Sequence, residues 1–131
     1  MKTENLQKAI DLIYESIESE GLIPALHTIF GQPIHVKIPL NLTTCETDIE
    51  ALFLSVRAFN GLRRAGIFNI RELTRAVSNG LLTQTRNLGK KSCAEIETKL
   101  LAYCYAAAPM EWRRDFIRDL LEDNQTHRRI K

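Results

Sequence analysis

Residues 54–95, LSVRAFNGLRRAGIFNIRELTRAVSNGLLTQTRNLGKKSCAE, cannot form one continuous element. Gly66, Gly80 and Gly89 fall between apolar runs, and the last two close the turns Ser78-Asn79-Gly80 and Asn87-Leu88-Gly89. Glycine reaches turn conformations without a Cβ penalty, so each marks a break. The runs between the breaks carry apolar residues at helical spacing. Helices this short are marginal in water alone and must pack on one another. The segment therefore predicts a mainly α protein, a helical bundle of short helices joined by tight turns.

Charge singles out the same segment. The whole chain is nearly balanced, with 18 Lys and Arg against 16 Asp and Glu and a net charge of +2. Residues 1–53 hold three basic and eight acidic residues, residues 54–92 eight basic and one acidic, and residues 93–131 seven of each. A basic middle between acidic and neutral flanks points to a functional face for an anionic partner. The alternative is a solvated, arginine-rich surface.

The remaining composition excludes several classes. A protein of 131 residues is long enough to bury a core without metal or disulfide staples. No apolar run reaches eighteen residues, and the N-terminus has acids where a signal peptide has its apolar stretch. A cytoplasmic protein with no membrane partner is expected. Cys45, Cys93 and Cys104 match no zinc spacing, and His27, His35 and His127 are scattered. No metal and no cofactor are expected, and no nucleophile–base pair can be assembled, so an enzyme is not expected.

Along the sequence, Leu6, Ile10, Ile13 and Ile17 make residues 3–19 an amphipathic helix, stopped at Gly21. Residues 25–30 read as a short helix. Ile34, Val36 and Ile38 alternate with His35 and Lys37 between Pro33 and Pro39, the pattern of a short extended arm. A mostly polar link, 40–47, closes a first region, 1–47. From Thr47 or Asp48 a helical stripe runs through Ile49, Leu52, Phe53, Val56, Phe59 and Leu62. Asn69 is placed to cap a helix over 70–77, with Leu73 and Val77 inward. A third short helix is expected over 81–85. Cys93, Ile96, Leu100 and Cys104 share one side of a helix over 90–105. These elements make a core, 48–108. After Pro109, residues 110–123 read as an amphipathic helix with Trp112, Phe116 and Leu120 on one face, in a last region, 109–131. The stripes of the first and last helices can complete one core or form the face of a homodimer.

Within the core, the turn at Gly89 delivers the start of a helix. Its unsatisfied N–H groups and positive dipole end form an anion site. Lys90, Lys91 and Ser92 lie on that first turn. Cations are unfavourable for the helix there, which makes sense if an external anion binds. Arg57 and Asn60 are three apart and share a face of an earlier helix. The string is not a P-loop, and a purely structural helical turn is the alternative.

Two strings, SVRAFNGL (55–62) and NLGKKS (87–92) followed by Glu95-Ile96, resemble the C-terminal domain of the bacterial RNA polymerase alpha subunit. The similarity covers residues 52–102. It implies a compact domain with helix-hairpin-helix units that binds the minor groove of A·T-rich DNA and contacts sigma factor and activators. Carried over by position, it implies DNA contacts from Arg57, Asn60, Gly89, Lys91 and Ser92, with Lys90, Arg86 and Glu95 secondary and Glu95 an orienting acid. Arg57 would enter the narrow groove, where the potential is most negative. Gly61 stands where the family often has cysteine. Residues 50–53 keep one acid where the family has an acidic cluster. No alpha assembly domain is present in these residues, so a stand-alone protein is expected.

The leading expectation is thus a DNA-binding, transcription-related protein. The alternative is a protein-interaction module that mimics the polymerase domain and binds sigma factor or activators. A third reading is an accessory domain of a nucleic-acid enzyme.

Overall fold

The computed structural model describes residues 3–30, 38, 44–86 and 88–123. Among these there are six α-helices, three short 3-10 turns and no strand, as the helical reading requires. In order the helices are α1 (Thr3–Glu20), α2 (Leu22–Phe30), α3 (Val56–Arg64), α4 (Ile70–Ser78), α5 (Lys90–Ala107) and α6 (Arg113–Asp123). Contacts group the residues into two compact units, 40–104 and 1–39 with 105–131.

In the 40–104 unit, Asp48 accepts a hydrogen bond from the Glu50 N–H at 2.8 Å and starts a 3-10 turn, Ile49–Leu52. Phe53 then takes a left-handed conformation, φ 52° and ψ 48°. Ser55 starts a new helix as the N-cap of α3, its Oγ accepting from the Ala58 N–H at 3.3 Å. The single helix expected from Thr47 through Leu62 is therefore corrected. The left-handed residue and the serine cap break it in two and change its phase. Phe53 and Val56, expected inward, are 84% and 76% exposed, while Ile49, Leu52, Ala58 and Leu62 are buried.

Gly66, at φ +83°, ends α3 in a backbone region that a side chain would resist. Asn69 caps α4, its Oδ1 accepting from the Glu72 N–H at 2.8 Å. Glu72 answers by accepting from the Phe68 N–H at 3.0 Å, so two otherwise orphaned donors are satisfied at one helix start. Leu73 is fully buried, as expected, whereas Val77 is only half-buried. The expected helix over 81–85 is a 3-10 turn, Leu82–Gln84. On α5, Cys93, Ile96, Leu100 and Cys104 are all buried, and Leu101 joins them.

In the other unit, α1 and α2 pack together across Gly21, which has φ +96°. Ile10 and Ile13 of the expected stripe are buried, with Ala25 and Leu26 of α2. Helix α2 starts earlier than expected, because Pro24 lies in its first turn, where no intrahelical N–H is needed. The expected helix over 110–123 is also divided. Pro109 leads into a 3-10 turn, Met110–Trp112, closed by the Trp112 N–H on the Pro109 carbonyl at 2.8 Å. That tighter turn takes Trp112 off the apolar stripe and leaves it 57% exposed, while Phe116, Ile117, Leu120 and Leu121 of α6 are buried.

Arginines hold this unit at its polar edges. Arg113 donates to the carbonyls of Ala106 and Ala108 at 3.1 and 3.3 Å and stacks over Tyr105 at 5.3 Å. It thereby satisfies carbonyls left open at the end of a helix. Arg114 of α6 pairs with Asp11 of α1 and lies 4.6 Å over the Tyr14 ring. The extended arm expected over 34–38 and the basic tail 124–131 lie outside the described residues, save Ile38, which is buried and belongs to no strand.

Phe53 gives a direct test of the break before α3. A non-glycine residue in the left-handed region costs about 1–2 kcal/mol, and this exposed ring returns little packing. Phe53→Gly is expected to stabilise the fold by about 0.5–1 kcal/mol, after the added flexibility of the unfolded state is deducted. Urea denaturation followed by circular dichroism checks this, and a loss of stability would contradict it.

Candidate nucleic-acid interface

The two sequence strings meet at one serine. Glu95, in the second turn of α5, accepts from the Ser55 N–H at 2.6 Å and, with its other oxygen, from the Ser55 hydroxyl at 2.7 Å. Ser55 is also the N-cap of α3, its hydroxyl oxygen accepting from the Ala58 N–H. One hydroxyl therefore donates to α5 and accepts from α3. The carboxylate also places negative charge at the positive end of α3. These bonds join residues forty positions apart and bring the first turn of α3 beside the first turns of α5.

Arg57 and Asn60 are exposed on α3. Among the described residues, Arg57 has no ion-pair partner. On α5, Lys90 and Lys91 are exposed. The Gly89 carbonyl accepts from the Cys93 N–H at 3.0 Å, the first bond of the helix, so the amides of residues 90–92 precede its hydrogen-bond ladder. Arg86 is exposed, and Asn87 lies outside the described residues.

Two residues behave differently from expectation. Gly89 was expected to meet a conformational need, yet its φ is not positive and a Cβ there would meet nothing within 4 Å. The fold leaves open space at this glycine instead of requiring it. Ser92, expected to face a ligand, is only 5% exposed. Its place on the buried side of α5 follows from the helical period, which sets Ser92, Ile96 and Leu100 on one face.

Ser55 is the residue whose role local sequence reasoning misses. The available signal is a serine directly before the helix carrying Arg57, a position serine favours as a cap. Its bond to Glu95 has no local signal at all.

Behind the Gly89 turn, the Cys93 thiol donates to the Leu82 carbonyl at 3.5 Å and lies 4.0 Å from that of Leu88. Burial raises its pKa above the usual thiol value, and the nearby Glu97 carboxylate adds to the shift. This is a structural thiol that fastens the turn. Among the described residues no group of His, Cys, Asp and Glu could hold a metal ion, and no helix is long and apolar enough to cross a membrane.

The family model for the C-terminal domain of the bacterial RNA polymerase alpha subunit matches residues 37–102. The protein belongs to that family. It is 50% identical over 58 residues to the DNA-directed RNA polymerase subunit alpha of Symbiobacterium thermophilum, which covers 44% of this protein and 18% of the relative. The same subunit of Clostridium kluyveri is 51% identical over 55 residues, covering 42% of this protein and 17% of the relative. The matched segment thus spans less than a fifth of the length of these relatives. No solved structure matches. The matched region contains Ser55, Arg57, Asn60, Gly89 and Glu95.

Removing the clasp has a defined consequence. Glu95→Ala is expected to lower stability by about 1–2 kcal/mol, since it releases two hydrogen bonds to a charged group and loosens the cap of α3. Chemical denaturation measures this, and an unchanged midpoint would show that the clasp is idle. The cysteines supply a second check. At neutral pH an alkylating reagent should modify half-buried Cys45 first and spare Cys93, whose raised pKa disfavours the reactive thiolate. Mass spectrometry over time reads the order, and early labelling of Cys93 would contradict it.

Proposed function

We propose that the protein binds duplex DNA through one surface, formed by Arg57 and Asn60 on α3 and by Gly89, Lys91 and Ser92 at the start of α5. The observation that carries this reading is the Ser55–Glu95 clasp, which holds the two basic helix starts side by side. In this reading Arg57 enters the minor groove of A·T-rich DNA, where a narrow groove concentrates negative potential. Asn60 lies beside it and hydrogen-bonds base edges or water. The open space at Gly89 lets a phosphate approach the backbone, and Lys91 grips that phosphate. Ser92, being buried, contributes through its first-turn amide more than its hydroxyl. Lys90 and Arg86 add charge at the margin. Discrimination is between A·T and G·C, since the minor groove carries little more.

The protein acts in the cytoplasm, without catalysis or cofactor, on promoter-like DNA and in contact with RNA polymerase. A second reading draws on the exposed Phe53 and Val56 beside Arg57. In it the protein is an interaction module that mimics the polymerase domain, and these apolar side chains dock on sigma factor or an activator. A homodimer is compatible with either.

A salt titration on A·T-rich and G·C-rich duplexes separates the readings. DNA binding predicts affinity that falls steeply with salt, as phosphate contacts release counterions. Arg57→Ala should cost about 1–3 kcal/mol on the A·T-rich duplex and less on the other. Binding indifferent to both salt and Arg57 would reject the DNA reading. Capture of purified sigma factor, lost in Phe53→Asp and not competed by duplex, would favour the second.

A further inference from the structure

We infer that Arg64 is a further DNA contact, gripping the phosphate strand on the side of the groove opposite Lys91. The inference rests on the DNA-binding reading above and extends it beyond the two sequence strings.

Helix α3 ends in two adjacent arginines that the structure treats differently. Arg63 lies 5.5 Å over the Phe59 ring and 5.1 Å over the Phe68 ring. Its guanidinium is held on the protein by two cation–π contacts. Arg64 is exposed and, among the described residues, has neither a ring nor an acid as partner. A basic residue at a helix C-terminus complements the dipole, but Arg63 already supplies that charge.

The helical period decides which arginine shares the candidate surface. At about 100° per residue, Arg57, Asn60 and Arg64 fall within an arc of about 60°. Arg63 falls about 120° from Arg57 on the same wheel. The exposed stripe of α3 is therefore Arg57, Asn60, Arg64, with one long cation at each end.

Distance then assigns the role. Seven residues of helix carry Arg64 about 10 Å along the axis from Arg57. The minor groove is about 6 Å wide, so a helix lying across it with Arg57 inside sets Arg64 over the far phosphates. The near side is occupied by α5. Glu95 holds its second turn against Ser55, at the opposite end of α3 from Arg64, and Lys91 lies one turn earlier on α5. Lys91, Arg57 and Arg64 then straddle the groove: one strand, the groove and the other strand.

The test compares four proteins, wild type, Arg57→Ala, Arg63→Gln and Arg64→Gln, in fluorescence-anisotropy titrations at several salt concentrations. A·T-rich and G·C-rich duplexes are both used. Each phosphate contact contributes about 0.9 to the slope of log affinity against log salt. Arg64→Gln should make that slope shallower by about 0.9 and weaken both duplexes equally, because a phosphate contact carries no sequence preference. Arg63→Gln should leave the slope unchanged. A slope for Arg64→Gln equal to wild type, with Arg57→Ala still impaired, would overturn the Arg64 contact alone. Wild-type binding that ignores salt and Arg57 would overturn the DNA reading and the Arg64 contact with it.

Discussion

The bond between Glu95 and Ser55 is the constraint on which the candidate surface depends. Short basic helices have no reason to lie start to start, since their positive dipole ends repel. A carboxylate between them removes that repulsion. It accepts from the residue that caps α3 and sits on the helix whose first turn carries Lys90 and Lys91. A single acid within a strongly basic segment thereby orders the cations around it. The clasp also holds the cap of α3 just after the left-handed break at Phe53.

The apolar core explains why this arrangement is rigid enough to matter. Ile49, Leu62, Ile70, Leu73, Ile96 and Leu100 are fully buried in the 40–104 unit. None of its helices before α5 exceeds nine residues, so each owes its stability to that shared interior and to its own cap. Ser55 and Asn69 supply those caps by the same chemistry, a side-chain oxygen accepting a first-turn amide. The Cys93 thiol and buried Leu88 fasten the turn that leads into α5. The exposed faces of α3 and α5 thus present the basic residues, while the buried core and the turns fix their spacing.

Much of this is legible in the sequence, and the exceptions have a common cause. Gly21, Gly66 and Gly80 all take positive φ, at turns that glycine placement marks. Asn69 caps where expected, and the α5 stripe is buried as the helical period requires. The misplaced residues are Phe53, Val56 and Trp112. Each stands at the junction of a 3-10 turn and a helix. A 3-10 turn has three residues per turn against 3.6, so an apolar stripe extrapolated across the junction loses phase. Ser92 departs for a related reason: its hydroxyl suggests a ligand, while its helical position assigns it to the core.

The sequence by itself determined the helical class, the turns, the basic segment and the family, because these follow from local periodicity, glycine placement and two short strings. Tertiary structure alone shows which cations are held on the protein and which stand open. Eight basic residues lie between positions 54 and 92, and local signals single out Arg57, Lys90 and Lys91 without showing which of the eight are engaged by the fold itself. Packing decides this by stacking Arg63 on two rings, leaving Arg57 and Arg64 open, and clasping Ser55 to Glu95. The Arg63 contacts reach only four and five residues along the sequence, whereas the Ser55–Glu95 clasp joins residues forty apart. The clasp depends on how α3 and α5 meet, which no single stretch of the sequence encodes.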